Sequence, residues 1–107
     1  MHRTIRPLIA EFIGVFTIVF VGSGAIMMNA RTGSQAGLAA NALAYAFTIA
    51  ALVGGLSKVS GHFNPAISIA WMLTRRTPVV DGALKIVAQV LGGIVGAWLL
   101  SKTFPPD

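Results

Sequence analysis

The fold is decided by the stretch Ser60-Gly61-His62-Phe63-Asn64-Pro65-Ala66, after which an apolar run continues to about Thr74. Asn is a favoured N-cap and Pro a favoured first helical residue, so a helix is predicted to begin at Asn64-Pro65. A helix of about ten residues is about 15 Å long, which is half the thickness of a bilayer. Because long apolar runs flank it, residues 59–74 are predicted to enter the membrane and turn back.

Three longer apolar runs surround this segment, over residues 8–30, 37–57 and 82–102. At 1.5 Å per residue the first run is about 33 Å long, enough to cross a hydrocarbon core of about 30 Å. A secretory signal peptide is the less favoured interpretation of the first run, because Glu11 interrupts it. Residues 1–107 are therefore predicted to form one all-α membrane unit with three transmembrane helices and one re-entrant half-helix.

The composition agrees with a lipid environment. Hydrophobic residues make up 55% of the chain and charged residues 10%, whereas soluble domains carry about 25% charged residues. The net charge of +5 does not indicate a nucleic-acid partner, because the basic residues lie at the ends of apolar runs and not along one face. The sequence shows no nucleophile–base pair, metal-ligand cluster or phosphate-binding loop, so it predicts a non-enzyme without metal or cofactor.

The basic residues also predict an orientation. With a cytoplasmic amino terminus, the cytoplasmic side carries six of them and the outer side only Arg31 and Lys102; the six are Arg3, Arg6, Lys58, Arg75, Arg76 and Lys85. Positive charge concentrates on the cytoplasmic side of membrane proteins. We therefore expect an integral protein of the cell membrane with its amino terminus inside.

Two stripes of small residues are predicted to bring helices close together. One is the pair Gly92 and Gly96, and the other consists of Ala42, Ala46, Ala50 and Gly54. Small residues four positions apart allow the backbones of neighbouring helices to approach closely in lipid.

The segment around Asn64 carries the predicted chemistry. A half-helix that begins near the membrane midplane points its free N–H groups and its positive dipole end into the centre of the bilayer. The Asn64 amide would add donors there, and the backbone carbonyls of residues 61–63 would offer acceptors. A row of acceptors that leads to donors suits water or a small polyol. The positive end of the helix dipole opposes cations. The alternative is that Asn64-Pro65 merely caps an ordinary helix.

Four motifs together resemble the first half of the aquaporins and glycerol facilitators, the major intrinsic protein family. They are Ala10-Glu11-Phe12-Ile13-Gly14, Gly22-Ser23-Gly24-Ala25, the stretch from Ser60 to Ala66, and Ile86-Val87-Ala88-Gln89-Val90-Leu91-Gly92-Gly93. In that family two inverted halves each supply an Asn-Pro-Ala half-helix, and the two meet at the pore centre. The resemblance implies that the pore or substrate residues include Gly61, His62, Phe63, Asn64, Pro65 and Ala66.

The resemblance also implies supporting roles. Glu11 would accept hydrogen bonds from the re-entrant loop, and the Gln89 amide would satisfy neighbouring backbone groups. Tyr45 would contribute to the narrow aromatic filter, where its hydroxyl adds a polar group; the alternative is that it anchors the helix at the membrane interface. His62 is interpreted as a structural or pore-mouth residue and not as a metal ligand.

Two departures from the family pattern affect the functional expectation. The loop is one residue shorter than is usual, and a second Asn-Pro-Ala and the filter arginine are absent from the sequence. The prediction is a passive channel for water or small neutral solutes such as glycerol, present as a half or truncated channel that needs a second half or a homo-oligomer. The alternatives are a small proton-coupled multidrug exporter that uses Glu11, for which residues 59–74 are too short a span, and an inert fragment.

Overall fold

The computed structural model describes residues 2–105, and the regular structure within them is entirely helical. In chain order the elements are α1 (His2–Thr17), a π-helical segment (Ile18–Ser23), α2 (Gly24–Arg31), α3 (Gly37–Leu56), α4 (Pro65–Leu73) and α5 (Val79–Thr103). Three stretches are long and apolar enough to cross a membrane, namely Ile5–Arg31, Gly37–Leu56 and Val79–Thr103. The predicted all-α architecture, with three such helices and one short helix, is confirmed.

The ends of the helices follow from local chemistry. Asn64 has an extended backbone, and its Oδ1 accepts a hydrogen bond from the Ala66 N–H at 2.8 Å, with Pro65 in the first turn of α4. Helix α5 begins at Val79, three residues before the predicted start at 82, because Pro78 with ψ of 145° supplies the extended residue that precedes the helix. Asp81 lies in the first turn of α5, where a negative charge suits the helix dipole.

The π-helical segment in the middle of the first span was not predicted. It covers the six residues Ile18–Ser23 and lies between α1 and α2, so the three elements form one continuous span. A π-helical turn is wider than an α-helical one, and such turns are rare and frequent at functional sites. It changes which side chains of the first span face α3.

Helix α5 packs closely on α1 through the first predicted stripe. A Cβ atom added to Gly92 would lie 2.4 Å from the carbonyl oxygen of Phe12, and one added to Gly96 would lie 3.0 Å from that of Phe16. Both glycines are buried. Glycine is therefore required at Gly92 because backbone atoms occupy the place of a side chain.

The second predicted stripe makes no such contact within the described residues. Helix α3 has no buried residue, and the stripe residues Ala42, Ala46, Ala50 and Gly54 are all exposed. A Cβ atom added to Gly54 would meet nothing within 4 Å. The expectation that this stripe packs against a helix is not met inside the chain.

The interior between α1, α4 and α5 is polar at its centre. Among the described residues, the largest fully buried side chains are those of Gln89, Glu11 and Ser68. Buried polar groups need hydrogen-bond partners, and in lipid a missing partner is not replaced by water. These three side chains lie directly behind the loop that leads into α4.

Candidate functional site

Glu11 holds the loop that precedes α4. Its Oε2 accepts hydrogen bonds from the Ser60 hydroxyl at 2.5 Å and the His62 backbone N–H at 3.0 Å. Its Oε1 accepts from the Phe63 backbone N–H and from Gln89 Nε2, each at 2.7 Å. Glu11 is completely buried, and four donors converge on its carboxylate.

The loop presents these backbone donors because Phe63 takes an unusual conformation. Phe63 has φ of 53°, in the left-handed region that side chains other than glycine rarely adopt. This turn directs two consecutive N–H groups, those of His62 and Phe63, at one carboxylate, an arrangement that suits an anion. The Phe63 ring lies against Gly14, where an added Cβ would be 2.2 Å from a ring carbon.

The Gln89 amide serves side chains rather than the neighbouring backbone that was expected. Its Nε2 donates to Glu11 Oε1 at 2.7 Å and to Ser68 Oγ at 2.9 Å. Its Oε1 is buried and has no hydrogen-bond partner within the described part of the chain. The difference arises because Glu11 already satisfies the loop backbone, so the amide is free to support Glu11 itself.

Ser68 is the residue of this site that sequence reasoning missed. It is fully buried on α4, and its Oγ lies 2.8 Å from His62 Nδ1 as well as 2.9 Å from Gln89 Nε2. Its position one turn after Asn64, in an otherwise apolar helix, was the available signal. A short hydroxyl in an apolar helix needs a partner if it is buried.

The His62 ring is held on two sides. Its Nδ1 meets Ser68, and its plane stacks on Trp71 with a centroid distance of 5.7 Å and an interplanar angle of 5°. The Arg76 guanidinium lies over the same indole ring, 5.5 Å from its centroid. Residues 2–105 contain no group of three or more His, Cys, Asp or Glu side chains that could hold a metal ion.

A partly enclosed cavity of about 210 Å³ lies in front of the loop. Its walls come from the π-helical segment, α3, the loop and α4; they are formed by Ile18, Ile49, Val53, Gly61, His62, Phe63, Asn64 and Ile67. Four of the predicted site residues, the consecutive residues 61–64, are therefore brought together at one cavity. Pro65 and Ala66 follow as the exposed first residues of α4.

Tyr45 lies outside this cavity, on the same side of α3 as Ile49 and Val53 at intervals of four residues. It is near the middle of α3 and not at either end. Its hydroxyl lies 3.3 Å from Ser23 Oγ, and its ring covers Gly22, where an added Cβ would be 2.2 Å from a ring carbon. Gly22 and Ser23 are the last two residues of the π-helical segment.

Asn64 places an amide group at the cavity. The Asn64 Oδ1 is used by the Ala66 N–H, so the Nδ2 group is the part of this side chain that remains to donate. Aliphatic side chains from α3 and the first span form the opposite wall. An apolar wall facing a short row of polar groups can orient a small uncharged solute.

Comparison with known proteins agrees with this architecture. The sequence profile described as "Major intrinsic protein" matches residues 1–107. Aquaporin NIP3-1 of Arabidopsis thaliana is 36% identical over 104 residues, which are 96% of this chain and 32% of that protein. Glycerol uptake facilitator protein-like 6 of Lactiplantibacillus plantarum is 38% identical over 96 residues, or 86% of this chain and 41% of that protein.

Aquaporin-2 of Dasypus novemcinctus is 35% identical over 105 residues, which are 95% of this chain and 93% of that sequence. The chain spans about a third of Aquaporin NIP3-1 and two fifths of the glycerol facilitator-like protein. None of the solved structures matches the chain significantly. The full-length family match and these relatives show that the chain is an integral membrane protein of the major intrinsic protein family, a family of channels.

Proposed function

We propose that this chain forms one wall of a passive channel for water or small neutral solutes such as glycerol, and that the cavity in front of the loop is part of the solute path. The observation that carries the proposal is the cavity formed by residues 61–64. Its polar side is formed by loop residues 61–63 and by Asn64 at the start of α4. The positive end of the α4 dipole disfavours cations at this point.

The remaining wall is proposed to come from a second unit, either the other half of a family channel or a second copy of this chain. The support is that α3 has no buried residue and that Asn64, Pro65 and Ala66 are exposed. Backbone and polar groups at membrane depth must be covered by protein or face a wet cavity. We further propose that the chain lies in the cell membrane with its amino terminus inside, and that it is not an enzyme.

The alternative of a proton-coupled exporter is less well supported by the geometry. An exporter of this kind would need Glu11 to bind and release protons and to reach its cargo. Glu11 is fully buried, and donors already occupy both of its oxygens. A carboxylate that anchors a loop through three hydrogen bonds and accepts a fourth from Gln89 on α5 cannot release them in each cycle without opening that loop.

The test is stopped-flow light scattering on proteoliposomes that contain this chain, alone and together with the second Asn-Pro-Ala half of a full-length family member. The informative variant is Asn64→Asp, because Asp keeps the oxygen that caps α4 and removes the amide donors. We expect the water permeability to fall about tenfold or more, because the solute loses a hydrogen bond from the Asn64 amide at the transport barrier.

The matched control is Asn41→Asp, which adds the same charge on α3. Asn41 Oδ1 accepts a hydrogen bond from Asn29 Nδ2 at 3.4 Å, and Asp retains that acceptor. Circular dichroism should show both variants to be helical. The proposal fails if no vesicles containing this chain gain permeability to water or glycerol, or if the two variants conduct equally.

A further inference from the structure

A continuous line of hydrogen bonds links Glu11 to the ring of His62. It runs from Glu11 Oε1 to Gln89 Nε2 at 2.7 Å, from Gln89 Nε2 to Ser68 Oγ at 2.9 Å, and from Ser68 Oγ to His62 Nδ1 at 2.8 Å. The first three side chains are at most 1% exposed. We call these four residues, Glu11, Gln89, Ser68 and His62, the buried relay.

The Glu11 end fixes the direction of the first bond. Each carboxylate oxygen of Glu11 receives two donors, one of which is a backbone N–H that cannot accept, so both oxygens act as acceptors. If the Gln89 amide were reversed, its oxygen would face a carboxylate oxygen at 2.7 Å, which is repulsive. Gln89 must therefore present its NH₂ group, whose second hydrogen points at Ser68.

The direction then passes through Ser68. The hydroxyl oxygen accepts from Gln89, so its own hydrogen must be donated elsewhere. Ser68 is fully buried, and within the described residues the other atom at hydrogen-bond distance from Oγ is His62 Nδ1. A buried hydroxyl that lost this acceptor would leave a polar group unpaired. The His62 Nδ1 is consequently an acceptor, and the proton of the neutral ring is on Nε2.

We propose that Ser68 is a positioning residue that holds His62 as the neutral Nε2–H tautomer. His62 then offers a donor, not an acceptor, from its free ring nitrogen. The stacking on Trp71 fixes the plane in which this N–H lies. His62 is also one of the residues that line the cavity. The consequence for a solute rests on the proposed function, whereas the tautomer does not.

The test is ¹⁵N NMR of the full chain in lipid vesicles at mildly alkaline pH, with ¹⁵N-labelled histidine. The chain has two histidines, so His2→Gln leaves His62 as the single source of signal. Protonated and unprotonated ring nitrogens have well-separated shifts. We expect Nδ1 to be unprotonated and Nε2 protonated, with a tautomer ratio of about ten or more from one buried hydrogen bond. A protonated Nδ1 in this protein would overturn the proposal.

Two substitutions separate the relay from a merely structural role. Ser68→Ala removes the donor and should lower the tautomer ratio about tenfold, while Ser68→Thr keeps the hydroxyl and should preserve the ratio. Gln89→Glu gives Ser68 an acceptor on the Gln89 side, so Ser68 should turn its hydrogen away from His62 and the tautomer should reverse to Nδ1–H.

Ser101→Ala, an exposed serine on α5, is the control and should change nothing. The Ser68 assignment is overturned if Ser68→Ala and Gln89→Glu both leave the shifts of His62 unchanged. If either variant does not fold, the other one and the unsubstituted chain still decide the result. Because none of these measurements needs solute flux, a non-conducting chain would remove the proposed function and leave the relay intact.

Discussion

Helices α3 and α5 are both long and apolar, yet the chain uses them differently. Helix α5 buries five residues, namely Gly82, Gln89, Gly92, Gly96 and Leu100, whereas α3 buries none. Hydrophobicity does not explain the difference, since both stretches are apolar enough to span a membrane. In lipid the hydrocarbon chains solvate apolar side chains as well as a neighbouring helix does, so close backbone contact and polar bonds decide which helices associate.

The fully buried polar bonds between helices lie on the α5 side. The centre of the interface between α1, α4 and α5 contains Glu11, Ser68 and Gln89.

The α3 side has aliphatic groups around the cavity and three polar contacts to the first span. The Ser23 and Tyr45 hydroxyls are 3.3 Å apart, and Asn29 Nδ2 donates to the Gly37 carbonyl at 3.0 Å and to Asn41 Oδ1 at 3.4 Å. The chain therefore has a closed side, where α1, α4 and α5 enclose buried polar groups, and an open side along α3, which has no buried residue. Each of the following predictions alters one of these sides.

The largest effect is expected for Glu11→Ala, which would break the closed side. The substitution leaves a serine hydroxyl, two backbone N–H groups and the Gln89 amide without their acceptor. Removing one partner of a buried charged network costs about 3–5 kcal/mol. Hydrogen exchange of the His62 and Phe63 amides should become fast, and the thermal midpoint in detergent should fall.

Two further variants sharpen this result. Ile13→Ala changes a 45% exposed side chain on the same helix and should leave both measurements nearly unchanged. Glu11→Gln keeps one acceptor oxygen and should lie between the two. Should Glu11→Gln fold normally but abolish proton-coupled export of a drug, the exporter would be the better explanation. Unchanged amide protection in Glu11→Ala would mean that Glu11 does not hold the loop.

The next effect compares the two stripes directly, through Gly92→Ala and Gly54→Ala. The added methyl group at Gly92 meets the backbone of Phe12, which cannot rotate away, whereas at Gly54 it meets nothing within 4 Å. Overpacking of this kind costs about 1–3 kcal/mol. Gly92→Ala should therefore lower the thermal midpoint, and Gly54→Ala should leave it unchanged or slightly raise it, because Ala favours a helix.

The same pair tests whether the open side becomes covered. If a second unit packs against the stripe of α3, Gly54→Ala should be neutral for this chain alone and should weaken the assembled complex, as measured by cross-linking in vesicles. Equal destabilisation of the isolated chain by both substitutions would contradict the difference between the two helices.

Much of this fold could be predicted from the sequence, because it depends on signals that are local. Chain length and apolarity predict the spans, and the Asn64-Pro65 pair predicts the start of α4, whose cap requires only neighbouring atoms. The close packing at Gly92 and Gly96 follows from a spacing of four residues on one helix face. Each of these inferences needs the residues of one element alone.

The parts that escaped prediction depend on several elements at once. Ser68 is an ordinary helical residue until α5 brings Gln89 to 2.9 Å from it. The left-handed φ of Phe63 is stabilised by Glu11, 52 residues earlier in the chain. The π-helical segment has no recognised sequence signal, and its partner Tyr45 lies on another helix. The packing partner of the predicted stripe on α3 could not be inferred for the same reason, since the stripe makes no close helix contact within the described residues.

The smallest effect is expected at the polar contact between Ser23 of the first span and Tyr45 of α3. The Ser23 and Tyr45 hydroxyls are 3.3 Å apart, longer than a strong O–H···O bond, so Ser23→Ala should cost only about 0.5 kcal/mol.

Stability is a poor measure of so small a change, but Tyr45 is the only tyrosine in the chain. With 3-fluorotyrosine incorporated, the ¹⁹F spectrum has one protein signal. Ser23→Ala should shift it, whereas Thr17→Val, which removes a hydroxyl bonded to the Ile13 carbonyl, should not. Equal shifts in both variants would show that Tyr45 does not sense Ser23 through a direct bond, and the contact of Tyr45 with the π-helical segment would then be made through Gly22.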